Sequence, residues 1–350
     1  MVRYVLAEVA LVIVGLTLLG VGVSSGASLF FGHLRARERA ALMRHYPIHQ
    51  PLSHPGDPAI TAESGGIFLG MSDDLLLARL TKATITRAKV NKGGSSLSFR
   101  LDFADGSRAA FKPAQTNLQT IPRKEVAAYR ICRLLGIVGV PPAIPRAVTR
   151  DELLSHLHPE SVASLPRIRA ETLFTPQGKT LGAASYWIPE IRDVGLDTPE
   201  GMRKAGAWMK VGAALDPADE ALAAQFSNLI VFDFLTANPD RFSGGNIKGS
   251  PEGDRIYFMD NTMAFFLAPD GAPKTRLWLE QTERFSRALV AALPRLSESR
   301  LAHLLGPDVE GQEILTSSEI RAVVARREAV QHRVEGLIAT HGEANVLVFP

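Results

Sequence analysis

The chain opens on a long apolar block. From Val9 to Phe31 no residue is charged, and Val9 to Val23 is almost wholly apolar. A stretch of that length crosses a hydrocarbon core of about 30 Å as a helix. Arg3 precedes it, and Arg35, Arg37, Arg39 and Arg44 follow it. The reading is a single-pass membrane anchor. A cleaved signal peptide, with Ser25-Gly26-Ala27 as its small-residue site, is the alternative; a buried core helix at such a position is the third. The excess of positive residues after the span favours a body left in the cytoplasm. Segment 1–33 is thus read as anchor or signal. Leu34 to His45 then looks like a short charged helix. Tyr46 to Gly66, with Pro47, Pro51, Pro55 and Pro58, reads as an extended spacer, because closely spaced prolines prevent regular pairing. The folded part is placed from residue 66 onward.

The pattern then becomes short and alternating. Ala83 to Val90 is β-branched and alternating, Leu97 to Phe103 alternates apolar with polar, Ala104-Asp105-Gly106-Ser107 carries turn chemistry, and Arg108 to Lys112 can return as the next strand. This predicts an antiparallel meander. Ile121 to Leu135 has helical spacing, with Ala127, Ile131, Leu134 and Leu135 on one stripe. Pro122 suits its first turn, and Gly136 with Pro141-Pro142 ends it. Ala183 to Ile191 predicts a buried strand and a connector. A helix is expected from Asp216 as N-cap and Pro217, a second from about Thr275 to Leu293, and a third from the capping box Thr316/Glu319 to near Gly342. The expected architecture is α+β: a small β-rich lobe over 66–191, then a larger, mostly helical lobe over 192–350, with a cleft between them.

Composition narrows the class. The chain has 350 residues, 46% hydrophobic and 21% charged, with a net charge of +3; these are globular values. The charge is too mild, and too scattered, to indicate a nucleic-acid partner. Cys132 is the only cysteine, which excludes a disulfide framework and a cysteine metal site. The nine histidines show no metal-ligand spacing. Ser161 and Ser164 lack a Gly-x-Ser-x-Gly context for a hydrolase.

The densest polar cluster is Asn238-Pro239-Asp240-Arg241-Phe242-Ser243-Gly244-Gly245-Asn246. It follows an apolar helix and precedes Arg255 to Asn261, a strand that delivers Asp260 at its end. Phosphoryl transfer needs a carboxylate to orient the acceptor hydroxyl, oxygen ligands for a metal, and a cation on the nucleotide phosphates. Asp240, Asp260 and the amide of Asn246 supply the first two; magnesium or manganese favours such oxygen donors. Lys112, at a strand end, supplies the cation, and Glu125 in the next helix is placed to orient it or to reach the metal. The loop Asn91 to Ser96, with Gly93, Gly94 and Ser95, joins two strands; its backbone N–H groups suit phosphate, although glycines there also serve plain hairpin turns.

Val231 to Arg241, followed by Met259-Asp260-Asn261, resembles the secretory-pathway protein kinases that include four-jointed. These are atypical kinases with an N-terminal membrane anchor. More distantly, the Asp-Arg loop is similar to HipA-type kinases and phosphoinositide lipid kinases. The resemblance covers about Lys89 to Phe266. It implies a two-lobed protein-kinase-like fold and an ATP-dependent phosphotransferase acting on a protein hydroxyl. Asp240 would be the catalytic aspartate and Asp260, with Asn246, would hold Mg2+ or Mn2+. Lys112 would bind nucleotide phosphate with Glu125 as its helix partner. Asn246 falls six residues after Asp240, one more than the common kinase-loop spacing, and Asp260 is not followed by Phe-Gly. A lipid or small-molecule kinase, or a pseudokinase serving as a membrane-tethered interaction module, is the alternative. Asp233 and Arg241 read as structural braces of the loop. Glu190 and Ile191 are expected beside the adenine through their backbone.

Overall fold

The structure is a computed structural model and describes residues 66–242, 245–307 and 313–350. The apolar block, the short charged helix and the proline-rich spacer lie outside the described residues. Among the described residues, no helix is long and apolar enough to cross a membrane.

A hairpin of β1 (Ile67–Phe68) and β2 (Met71–Ser72) leads into helix α1 (Asp73–Lys82). The Ser72 hydroxyl caps α1, and Asp73 and Asp74 occupy its first turn, where carboxylates suit the helix dipole. Then β3 (Ile85–Val90), β4 (Phe99–Phe103) and β5 (Arg108–Pro113) pair antiparallel in sequence. This is the meander the alternation predicts. Phe99, Leu101, Phe103, Ala109 and Phe111 are buried and form one core with Leu80 of α1. Side chains alternate across a strand, so Arg100, Asp102, Ala110 and Lys112 belong to the opposite face.

Helix α2 (Arg123–Leu134) follows. Gly136, at φ +75°, ends it in a left-handed turn that glycine adopts without steric cost. The chain returns through β6 (Ala143–Thr149), α3 (Arg150–Ser155), a 3₁₀ turn at Pro159–Ser164, α4 (Leu165–Glu171) and β7 (Lys179–Tyr186). The completed sheet runs β3-β4-β5-β7-β6, antiparallel throughout. Strand β6 is not apparent in the sequence pattern, because Pro145 interrupts it; an edge strand tolerates proline. The segment from α3 to α4 flanks β3. Ala88 exchanges backbone hydrogen bonds with His156 and His158, both 2.8 Å, while Leu153 and Ile168 join the sheet core.

The second half contains β8 (Arg192–Asp193), α5 (Pro199–Trp208), α6 (Glu220–Thr236), β9 (Ile247–Gly249), β10 (Ile256–Phe258), α7 (Pro273–Gln281), α8 (Arg287–Ala292), α9 (Glu298–Leu305), α10 (Ser317–His341) and α11 (Glu343–Val346). Strands β8 to β10 form a small antiparallel sheet. A second, larger core joins α2, α6 and the later helices.

Two expected helices need correction. The one assigned to Asp216 begins at Glu220, because Asp216 accepts from Ala218 N at 2.9 Å and closes a separate turn first. The one assigned to Thr275–Leu293 is two helices, α7 and α8. Between them Phe285 is buried and its backbone bonds Val346 and Phe349, so tertiary pairing overrides the helical spacing. The predicted strand starts at Lys179 and ends at Tyr186, leaving the rest as connector. Helix α10 starts at the expected capping box and stops at His341, with Gly342 as its C-cap.

Candidate active site

Helix α6 is buried from Leu229 to Thr236, which lets an apolar rod deliver a polar loop into the interior. Ala237 ends it in the left-handed region at φ +47°. Asn238 follows and accepts from Asp240 N at 3.1 Å. Asn246 donates its Nδ2 to both the backbone oxygen and Oδ2 of Asp240, each at 2.9 Å. The extra residue in the Asp240–Asn246 spacing therefore does not separate the two side chains.

Arg241 is fully buried. Its Nε and Nη2 donate to the two carboxylate oxygens of Asp233 at 2.9 and 3.2 Å. Nη2 also reaches Asn261 Oδ1 at 2.7 Å, and Nη1 reaches the Asn246 carbonyl at 3.1 Å and the Met259 carbonyl. One guanidinium thus ties α6, the Asp240 loop and the β10 exit together. The fixed fork of donors is what makes arginine suited to this. Burial pushes the Asp233 carboxyl up against the attraction of Arg241.

Strand β10 delivers Asp260 at φ +54°, a backbone region in which aspartate is tolerated better than most side chains. Asp260 Oδ1 accepts from Lys112 Nζ at 2.6 Å and from Thr262 Oγ1 at 3.0 Å. The Asp260 side chain keeps 43% of its exposure. Lys112 also donates to Glu125 Oε1 at 2.9 Å. Strand β5, helix α2 and the β10 exit therefore converge on one ammonium group. Burial opposes the charge on Lys112, but Glu125 and Asp260 outweigh it and raise its pKa. Burial likewise opposes the charge on Asp260, and Lys112 with Thr262 overcomes it, so the Asp260 carboxyl lies below its ordinary range.

The glycine loop lies at the same end of the sheet as Lys112, since Val90 faces Phe99 and Phe99 faces Phe111. Gly93 and Gly94 take φ +88° and +76°. Gln115, just past β5, accepts from Leu97 N at 2.8 Å and donates to the Leu97 carbonyl at 2.9 Å. Arg167 donates to the Ser95 carbonyl at 3.0 Å, and Ser161 Oγ accepts from Val90 N at 2.9 Å. Gly93, Gly94 and Ser95 are exposed.

The structure brings Lys112, Glu125 and Asp260 into direct contact and joins Asp240 to Asn246. Asn238 links the two groups, donating to the Asp260 carbonyl and to Asn261 Oδ1, both at 3.5 Å. Glu190 and Ile191 lie exposed on the connector between β7 and β8. Sequence reasoning missed Asn261, which donates to the Phe258 carbonyl at 2.9 Å and to Glu125 Oε2 at 3.4 Å. Its place directly after Asp260 was the available signal. It missed Gln115 too, for which no sequence signal exists.

Among the described residues, no three or more His, Cys, Asp or Glu side chains form a metal-binding group. Asp240, Asp260 and the Asn246 amide offer oxygen only. That donor set fits a hard divalent cation that also takes phosphate oxygens and water.

A β-sheet region followed by a helical region, with the lysine, glutamate and two aspartates between them, defines a kinase-like fold. Among solved structures it is similar to the Golgi casein kinase with manganese and ADP bound, with a TM-score of 0.59 and 16% identity, over 79% of this chain and 78% of that one. A second structure of the Golgi casein kinase gives a TM-score of 0.58 and 15% identity over 79% and 78% of the two chains. The hydra Fam20 structure with sugar gives 0.58 and 21% identity, over 77% of this chain and 90% of that one. The chain thus shares the fold of these structures. No protein-family model and no curated protein sequence matches the chain.

Proposed function

We propose that the chain is an ATP-dependent protein kinase that transfers the γ-phosphoryl group to a serine or threonine hydroxyl. The observation that carries this reading is the contact of Lys112 with both Glu125 and Asp260, set beside the Asp240–Asn246 pair. Asp240 orients the acceptor hydroxyl and takes its proton as the oxygen attacks γ-phosphorus and the bond to the ADP oxygen breaks. Lys112 holds the nucleotide phosphates, and Glu125 fixes its ammonium. Asp260 and Asn246 present oxygen donors for Mg2+ or Mn2+, which supplies charge neutralisation at the phosphates when bound. The glycine loop of Gly93, Gly94 and Ser95 closes over the phosphates with its backbone N–H groups. Membrane tethering through Val9–Phe31 belongs to the same proposal, and the flanking arginines favour a cytoplasmic body. The fold shared with a manganese- and ADP-bound kinase supports the nucleotide and metal assignment.

The closeness of Asn246 to Asp240 favours an active enzyme over a pseudokinase. The test is transfer of label from γ-labelled ATP by the full chain, with Mg2+ or Mn2+ and a panel of protein, lipid and small-molecule acceptors. Asp240→Asn and Asp260→Ala should each lower transfer by at least about 10³-fold, on the scale of losing a group that acts as a unit with its neighbours. Transfer that survives Asp240→Asn overturns the assignment. Labelling confined to lipids or small molecules moves the acceptor to that class.

A further inference from the structure

The first turn of α2 holds three consecutive polar residues, and only Glu125 points to Lys112. Successive helical residues diverge by about 100°, so Arg123 and Lys124 face elsewhere, and both meet α10. Arg123 Nη1 donates to Glu319 Oε2 at 3.0 Å and to the Ile314 carbonyl at 2.7 Å; its Nη2 reaches Glu319 Oε1 at 3.5 Å. Lys124 is buried, with its Nζ 3.8 Å from Glu319 Oε1 and 5.0 Å from the Phe266 ring centre. Helix α2 has no side-chain cap of its own, since Pro122 occupies the N-cap position. Its start is held instead by a carboxylate from another helix.

Glu319 is itself fixed. Its Oε2 accepts from Thr316 N at 2.8 Å and from Thr316 Oγ1 at 3.0 Å, closing the capping box of α10. Two turns along α10, Arg326 donates to the carbonyls of Leu235 at 2.8 Å, Phe266 at 3.2 Å and Ala268 at 2.8 Å. Leu235 lies just before the Asp240 loop, and Phe266 lies just after Asp260. One helix therefore grips α2, the end of α6 and the segment leaving Asp260.

We infer that Glu319 is a positioning residue: by holding Arg123 and Lys124 it fixes the first turn of α2, and through it the Glu125–Lys112 pair, in the working arrangement. The inference rests on the kinase reading above.

Glu319→Gln is the variant of choice, because glutamine also serves at the third position of a capping box. In the full chain, hydrogen exchange of the amides over 123–134 should quicken. In the transfer assay kcat should fall roughly tenfold, within the range for a small misplacement of reacting groups. In a Glu125→Gln background the same substitution should cost less than about twofold, because residues acting through one contact are not additive. Unchanged exchange overturns the inference. So does an unchanged kcat, or an undiminished loss in the Glu125→Gln background. If the wild-type chain transfers no label at all, the kinase reading falls and the exchange arm alone decides the grip of Glu319 on α2.

Discussion

Arg241→Met removes the most heavily engaged side chain around the site. Arg241 and Asp233 have side-chain exposures of 0% and 1%, and five hydrogen bonds leave the guanidinium. Methionine fills much of the volume but strands Asp233 and uncovers the Asn246 and Met259 carbonyls. Removing one partner of a buried ion pair costs about 3–5 kcal/mol. At about 2–4 °C per kcal/mol for a domain of comparable size, the melting temperature should fall by about 6–20 °C. Burial already raises the Asp233 pKa, and without the arginine it rises further. A carboxyl with a raised folded pKa contributes most stability below its unfolded value and loses it as pH rises through the folded value. The deficit of the variant should therefore be larger at pH 8 than at pH 5. Asp233→Leu combined with Arg241→Met should recover the share of the loss that comes from the stranded carboxylate, since an apolar pair can replace a buried ionic one, while the Asn246 and Met259 carbonyls stay without the arginine. Thermal and denaturant unfolding of wild type, single and double variants decide the matter. A fall below about 2 °C, a deficit that grows toward acid, or a double variant as unstable as the single would refute the reasoning.

Burial pushes Lys124 down to about 8 from its ordinary 10.5, against the attraction of Glu319. Between those values the unfolded chain holds the extra proton, so stability rises with pH by about 3 kcal/mol. Lys124→Met should abolish that rise when denaturant midpoints are compared across pH 7.5 to 10.5 with wild type; parallel curves would contradict it. At Gly139 an added Cβ would lie 2.7 Å from the Phe258 ring. Phe258 N also bonds the Gly139 carbonyl at 2.9 Å, so Gly139→Ala should cost about 1–3 kcal/mol through overpacking and lower transfer by displacing the β10 exit that carries Asp260. Chemical denaturation and the transfer assay check both; a variant as stable and active as wild type would remove the steric argument.

The sequence was most legible where period and chemistry agreed. The alternation over Ala83–Val90 and Leu97–Phe103, with the turn residues after it, specified the meander, and Lys112 stood at the end of its last strand. The capping box at Thr316 and Glu319 located the start of α10. Asp240 and Asp260 stood out because each follows an apolar element that has no other reason to end in a carboxylate. What escaped was set by distant contacts. Pro145 hid β6, since only its place at the sheet edge makes proline acceptable there. The break at Phe285 arises from pairing with Val346 and Phe349, which no local window contains. Gln115 looks like an ordinary polar residue, and Glu319 like a capping-box member alone, until the fold supplies their distant partners. Ser161, set aside as a nucleophile, serves as the hydroxyl that accepts from the edge strand β3.

The clasp between α2 and α10 also has a meaning in time. Arg123 and Glu319 stand 196 residues apart in the chain. A ribosome adding about 5–20 residues per second needs roughly 10–40 s to cover that distance. Throughout that interval the nascent chain already carries Lys112 and the glycine loop, yet lacks the Glu319 carboxylate that pairs with Arg123. On the proposed reading, the grip on the first turn of α2 is among the last contacts the growing chain can form, since it waits for the helix that Thr316 begins.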